Sequence, residues 1–238
     1  MRHGVFDEGY ALHVLLSAVF GKGMLQPFRT FRPSRGEGGA LYAYSDLDQE
    51  ALCAVAEAAA PPDGLEVVDV AELRTKPMPD RFSPGQRLGF DVRIRPVRRL
   101  ARDLSDSQSG KVIRKGSEID AFRLELLRRS PDGWKASEEA PAARVSRDHV
   151  YAAWLAERLA GAAEVDARSF RLASFHRLRV IRGDGRGPEG PDSVVHGDCV
   201  VEDPASFAAM LAKGVGRHRA YGYGMLIIRP PGTPPRSR

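Results

Sequence analysis

Charge of each sign is missing from a different part of this 238-residue chain. Residues 36–73 contain no Lys or Arg, and residues 213–238 contain no Asp or Glu. Cysteine is scarce: Cys53 and Cys199 lie far apart without metal-ligand spacing, which leaves neither a disulfide framework nor a zinc site indicated. No apolar run approaches the roughly 20 residues of a membrane span. The opening MRHGVFDEGY lacks the apolar core of a signal peptide, so a soluble cytoplasmic protein is the expectation. Nucleotide motifs are missing too. A Walker loop requires Gly-Lys-Ser/Thr after its turn, and none occurs. A dinucleotide fingerprint would need glycine where Arg219 stands, in a loop that follows a strand and opens a helix.

What is present is sided charge and one unusual loop. The net charge is only +5. Its arginines cluster: Arg93, Arg95, Arg98, Arg99 and Arg102, then Arg168, Arg171, Arg177, Arg179, Arg182 and Arg186. With the acid-free C-terminus, this is the electrostatic footprint of a polyanion binder; arginines scattered over solvated surface are the plain alternative. The loop is GVGRHRAYGYGMLIIRP, residues 214–230. Glycine lets a backbone approach another group closely or take positive φ. Lys213, Arg217 and Arg219 around Gly214, Gly216, Gly222 and Gly224 imply that this group is an anion, unless the loop is only a solvated connection.

Periodicity orders the chain. Leu12, Leu15, Leu16 and Val19 recur at helical spacing behind Asp7 or Glu8, and Gly21 and Gly23 stop the helix. A loop with Pro27 and Pro33 follows, then an alternating strand at 40–45. A helix over 46–60 starts at Ser45 and ends at Pro61-Pro62. LEVVDV at 65–70 and RLGFDVRIRPV at 87–97 alternate as strands. Residues 101–146 read as linker with a helical piece near 118–128. Beyond it come a helix at 150–159, a basic strand broken by GDGRGPEGPD, a partner strand SVVHGDCVVED, a helix behind Pro204 and a strand at 225–228. Each half fits the β-α-β-β-α-β pattern less its opening strand. The expected class is α+β: tandem ferredoxin-like, RRM-like domains, with two antiparallel sheets and helices packed on them. The boundaries are 1–98 for the first domain, 99–145 for a linker with some helix, and 146–238 for the second. Such sheets are a common RNA platform, although fold alone does not fix function.

Four segments carry a family resemblance, in order along nearly the whole chain. The glycine loop resembles the C-terminal signature of the CRISPR repeat-processing endoribonucleases. YALHVLLSAVFG, residues 10–21, resembles the Tyr-x-x-His helix of their CasE branch, from the subtype I-E Cascade system. KPMP with GFDVRIRPVRR looks like that branch's mid-chain block, and SRDHVYAAWLAERL like the helix opening its second domain. The resemblance implies two ferredoxin-like domains that bind the hairpin of the CRISPR repeat in precursor RNA. It implies one metal-free cut at the hairpin base, with the 2′-hydroxyl as nucleophile. The enzyme then stays on its product as a Cascade subunit, and no cofactor or membrane is involved. The alternative is an RNA-binding subunit of the same fold without catalysis.

Two departures bear on this. The family's opening strand must be supplied by Arg2 to Phe6 or by residues encoded upstream; an upstream start is the expectation. Some relatives place a basic residue about one turn past the histidine, where this chain has Ser17, Ala18 and Val19, so Lys22 or the glycine loop is expected to provide that cation.

The resemblance makes His13 the proton-transfer group and Tyr10, three residues earlier on the same helix face, its orienting partner. Lys213, Arg217, His218 and Arg219 are expected on RNA phosphates; Tyr221 and Tyr223 either stack on a base or pack on the sheet, packing being the expectation for one of them. Arg177, Arg179, Arg182 and Arg186 are expected along a double-stranded stem, sensing groove shape and phosphates. Lys22, Arg93, Arg95 and Lys76 complete the candidate RNA surface. His149 and His176 are expected to be structural or peripheral, and no metal site is expected.

Overall fold

The computed structural model describes residues 8–31, 39–79, 81–106, 109–129, 145–179 and 189–233. Arg2 to Phe6, the alternative source of the opening strand, lie outside them.

The N-terminal half starts with helix α1 (Glu8–Phe20), whose Leu16, Val19 and Phe20 are buried. Strands β1 (Phe28–Phe31) and β2 (Ala40–Ala43) pair antiparallel. Helix α2 (Gln49–Ala59) follows, and Leu52 and Ala56 close a small core with α1 and Phe28. The cap of α2 is Asp48 rather than Ser45: its carboxylate accepts from Ala51 N at 2.9 Å. Expected strand 65–70 is not one. Its place is taken by helix α3 (Pro62–Leu65), and then by a 3₁₀ turn (Val70–Glu72) capped by Asp69. Pro61-Pro62 preorganises the first of these turns. Asp69 stabilises the second by accepting from Ala71 N and Glu72 N. The described part of this half is therefore the α-β-β-α middle of a ferredoxin-like pattern.

Strand β3 (Arg87–Ile94) belongs to a different sheet. Its partners are β10 (Glu189–Val201) on one edge and β11 (Leu226–Arg229) on the other. The far edge of β10 is shared by β9 (Arg171–Arg179) and the short β8 (Ala163–Val165). With α5 (Arg147–Leu159) after β3 and α6 (Pro204–Lys213) after β10, the sheet order β11-β3-β10-β9 is the ferredoxin-like order 4-1-3-2. The opening strand that the C-terminal half lacked is thus β3. A boundary at residue 98 cuts this strand away from its own sheet, and we propose that the C-terminal domain begins just ahead of Arg87.

The reason lies in the two faces of β3. Phe90, Val92 and Ile94 project into the main core with Val195, Cys199 and Leu226. Onto that face α5 brings Tyr151, Trp154, Leu155 and Leu159, and α6 brings Phe207 and Leu211. Each such fully buried large apolar side chain contributes about 1.5–3 kcal/mol. The opposite face carries Asp91 and Arg93, and Asp91 meets the N-terminal half by accepting from Arg29 of β1.

The expected linker is also built. Strand β4 (Val97–Arg99) pairs with β7 (Glu118–Asp120), β5 (Leu104–Asp106) pairs with β6 (Lys111–Ile113), and helix α4 (Ala121–Arg129) follows. Ile119, Leu124 and Leu127 give these elements a small apolar core. Val97 N donates to Arg95 O at 2.8 Å, so the β4–β7 ladder hangs directly from the end of β3.

Candidate active site

The glycine loop runs from the end of α6 to β11, and its course follows from where its glycines sit. A Cβ on Gly224, at φ +80°, would stand 2.2 Å from the carbonyl oxygen of Val215. Two hydrogen bonds hold the crossing: Val215 N donates to Gly224 O at 2.8 Å, and Gly224 N to Arg93 O at 2.7 Å. A Cβ on Gly216 would meet the Trp154 ring at 2.8 Å; at Gly214 and Gly222 the nearest atoms belong to Pro27 and Phe28. The close approach these glycines permit is therefore to the protein's own backbone, core and N-terminal half.

This folding of the loop onto β1 delivers its tip to α1. The 3₁₀ turn Arg219–Tyr221 packs on that helix, and the Tyr221 ring meets the His13 ring edge-on with centroids 5.2 Å apart. His13, Ser17, Gln26 and Ala220 edge a small cleft at this junction. Tyr10 is 38% exposed, one turn ahead of His13. Lys22 is exposed just past the end of α1, and Lys213 and Arg219 are exposed on the loop side. Arg219 Nη1 donates to the backbone carbonyl of Lys213 at 2.6 Å, which ties the Arg219 guanidinium to the end of α6. The imidazole of His13 near the amino end and the tip of the cationic loop near the carboxyl end thus meet at one small cleft.

Other candidates divide. Tyr223 is the buried packing tyrosine, and Tyr221 is the half-exposed one. The Arg93 guanidinium stacks 4.6 Å from the Tyr223 ring centroid and grips Asp192 through two hydrogen bonds of 2.8 Å. Burial opposes the Arg93 charge, but the bond to Asp192 and the charges of Tyr223, Asp192 and Glu8 together outweigh it and raise its pKa. Arg93 is thus committed to the sheet. Arg95 is 2% exposed, with its guanidinium close beneath Gly190, and cannot reach a phosphate from there. His218 is likewise enclosed: its side chain is 9% exposed and its Nε2 lies 2.7 Å from Glu118. Arg217 shares the same carboxylate, Nε to Oε1 at 2.6 Å, but stays 53% exposed. Arg177 on β9 is exposed and 3.8 Å from Glu189. Arg179 pairs through its backbone with Glu189 in the ladder, and Arg182 and Arg186 lie outside the described residues. Lys76 is exposed in an irregular segment; His149 and His176 are exposed.

Glu118 is the member of this constellation that pattern reading missed. It stands 100 residues before His218, in a stretch read as linker. The hydrogen bond from His218 holds its carboxyl below the usual carboxylate range against the opposing effect of burial, with Arg217 assisting.

The sequence profile of the CRISPR associated protein family matches residues 2–230. The chain belongs to this family. Among solved structures it is similar to the CRISPR endoribonuclease Cse3 bound to a 19-nucleotide RNA, at 21% identity and TM-score 0.56, over 94% of this chain and 90% of that one. It is similar also to Thermus thermophilus Cse3 bound to an RNA representing a pre-cleavage complex, at 21% identity and TM-score 0.53 over the same shares. A third is the CRISPR-associated protein Cas6e from Escherichia coli str. K-12, at 16% identity and TM-score 0.53, over 94% of this chain and 92% of that one. No curated protein sequence matches. The likeness is one of fold, and the family member described here shares the tandem ferredoxin-like, α+β architecture expected from its sequence. Among its described residues no helix is long and apolar enough to cross a membrane.

Proposed function

We propose that this chain is a metal-independent endoribonuclease of CRISPR precursor RNA. It binds the repeat hairpin, cuts once at the base, and stays on the product as a subunit of a Cascade-type surveillance complex. The observation that carries the reading is the edge-on contact of His13 with Tyr221, which joins helix α1 to the tip of the basic loop. The RNA-bound Cse3 structures of similar fold support it.

The chemistry asks for little more. A base removes the proton of the 2′-hydroxyl, the oxygen attacks the adjacent phosphorus, and the bond to the 5′-oxygen breaks as that oxygen takes a proton. Histidine exchanges protons near neutral pH, so His13 serves one of these transfers. Its edge-on contact with Tyr221 restricts how the imidazole turns. Tyr10, exposed on the same helix, orients the phosphate or the hydroxyl. Lys22, Lys213, Arg217 and Arg219 place positive charge where the phosphate gains negative charge. The exposed face of β9, with Arg177, follows the stem by its backbone.

Incubation with a synthetic repeat hairpin in EDTA tests the reading. A single cut by the wild type, lost in His13→Ala while hairpin affinity stays within about threefold, is the expected result. Intact bound RNA with the wild type would mean a binding subunit instead, and unchanged cleavage by His13→Ala would remove His13 from the mechanism.

A further inference from the structure

Building on that reading of the site, we propose that Glu118 is a positioning residue for cleavage: from the β4–β7 ladder it anchors the glycine loop so that Tyr221 stands against His13.

Three observations carry this. First, Glu118 is itself fixed. It pairs with Arg99 in the ladder that hangs from β3, and its side chain is only 16% exposed. Second, it spends both carboxylate oxygens on neighbouring loop residues, Oε1 on Arg217 and Oε2 on His218. Third, His218 is the non-glycine residue with positive φ among the described residues, at +64°. L residues avoid that conformation and hold it only where the surroundings impose it. The carboxylate on its ring is a contact that supports this conformation. From His218 the chain of contacts is short: its carbonyl accepts from Tyr221 N at 2.9 Å, and the Tyr221 ring abuts His13. Releasing His218 lets its backbone leave the left-handed region, and the turn carrying Tyr221 moves with it.

The rival role for Glu118 is electrostatic, a carboxylate that neutralises the loop and is displaced by an RNA phosphate. Enclosure of His218 argues against it, because that ring cannot exchange a carboxylate for a phosphate without leaving its pocket. Arg217 needs no such exchange: with Nε on Glu118, its exposed terminal nitrogens serve a phosphate at the same time. The two roles differ in outcome. Removing an anchor slows the bound complex, whereas removing a competitor tightens RNA binding and spares the rate.

The test uses Glu118→Ala, Glu118→Gln, Tyr221→Ala and the Glu118→Ala/Tyr221→Ala double variant in the full chain. Its first readout needs no cleavage. The His13 ring resonances of RNA-free protein, which Tyr221→Ala shifts by removing the ring current, should move toward that position in Glu118→Ala. They should move partway in Glu118→Gln, which keeps one acceptor oxygen. The second readout is single-turnover cleavage. For Glu118→Ala the saturating rate should fall about tenfold or more with half-saturation within about twofold, and the double variant should be no slower than Tyr221→Ala. Unmoved His13 resonances, losses that multiply in the double variant, or tighter binding at an undiminished rate would overturn the proposal. Should Glu118→Ala not fold, Glu118→Gln is scored by the same criteria. If the wild type leaves the hairpin intact, the ribonuclease reading fails and the resonances alone decide the role of Glu118.

Discussion

Gly224→Ala isolates the contact on which the loop's course depends. Gly224 has φ +80° and its added methyl would lie 2.2 Å from Val215 O and 3.0 Å from Val215 N, both backbone atoms. Neither can retreat cheaply, because the hydrogen bonds to Val215 and Arg93 on either side fix the spacing. Gly85 is the matched control: its φ is +79°, and a methyl there meets nothing within 4 Å. Both substitutions incur the left-handed penalty, about 1–2 kcal/mol. Gly224→Ala adds the cost of forcing packed backbone apart, about 1–3 kcal/mol, for a total of about 2–5 kcal/mol. At a dependence of about 2 kcal/mol per molar urea, the unfolding midpoint should drop by about 1–2.5 M for Gly224→Ala and by about 0.5–1 M for Gly85→Ala, with unchanged slopes. Coinciding midpoints would refute the steric argument, and with it the claim that these glycines serve the protein's own packing. Gly224→Ala should also slow cleavage, since the displaced loop carries Tyr221 away from His13; Gly85→Ala should not.

Arg93→Lys cannot reproduce the two-pronged grip on Asp192 or the stacking on Tyr223, and should cost about 1–3 kcal/mol of stability by urea titration. Arg219→Ala should show the opposite signature: stability within about 0.5 kcal/mol of wild type, and a log–log dependence of RNA affinity on salt shallower by about one. Burial, with Arg229 and Arg171 nearby, pushes the His196 imidazole below its ordinary 6.5. Its depressed folded value means the unfolded chain binds the proton first. Stability should therefore be full above about pH 6.5 and fall as pH drops toward the folded value. Urea midpoints of His196→Gln across that window should lose this slope. A His196→Gln profile parallel to the wild type would show that other groups produce it.

Local signals read well where one element decides its own fate. Helices α2, α5 and α6 carry apolar periodicity and capping residues, with a proline stop after α2 and a proline start to α6, and all formed within a few residues of expectation. Errors came where a partner decides. The LEVVDV segment has strand chemistry, yet no described strand takes it. Pro61-Pro62 starts a helical turn instead, and Gly64 fits closely against Val19. Strand β1 was hidden between prolines because Pro27 only precedes it. For β3, alternation revealed a strand with one apolar face but not which sheet that face would enter. Pairing partners more than 90 residues away are set by packing, not by anything local.

The site divides by the same logic. His13 and Tyr10 share one helix, so their common face was legible from spacing alone. The loop's glycines were legible as permission for close approach, but permission does not name what approaches, and the Cβ contacts of all four are with protein. His218 shows how far this goes. A basic residue beside arginines in an acid-free segment reads as a phosphate contact, and only the β4–β7 ladder, crossing from a charged stretch that looks like linker, supplies the carboxylate that encloses it. Charge counted along the chain finds the surface that attracts a polyanion. Charge paired across the fold decides which of those cations stay exposed: Arg219, Lys213, Lys22 and Arg217 do, and Arg93, Arg95 and His218 do not.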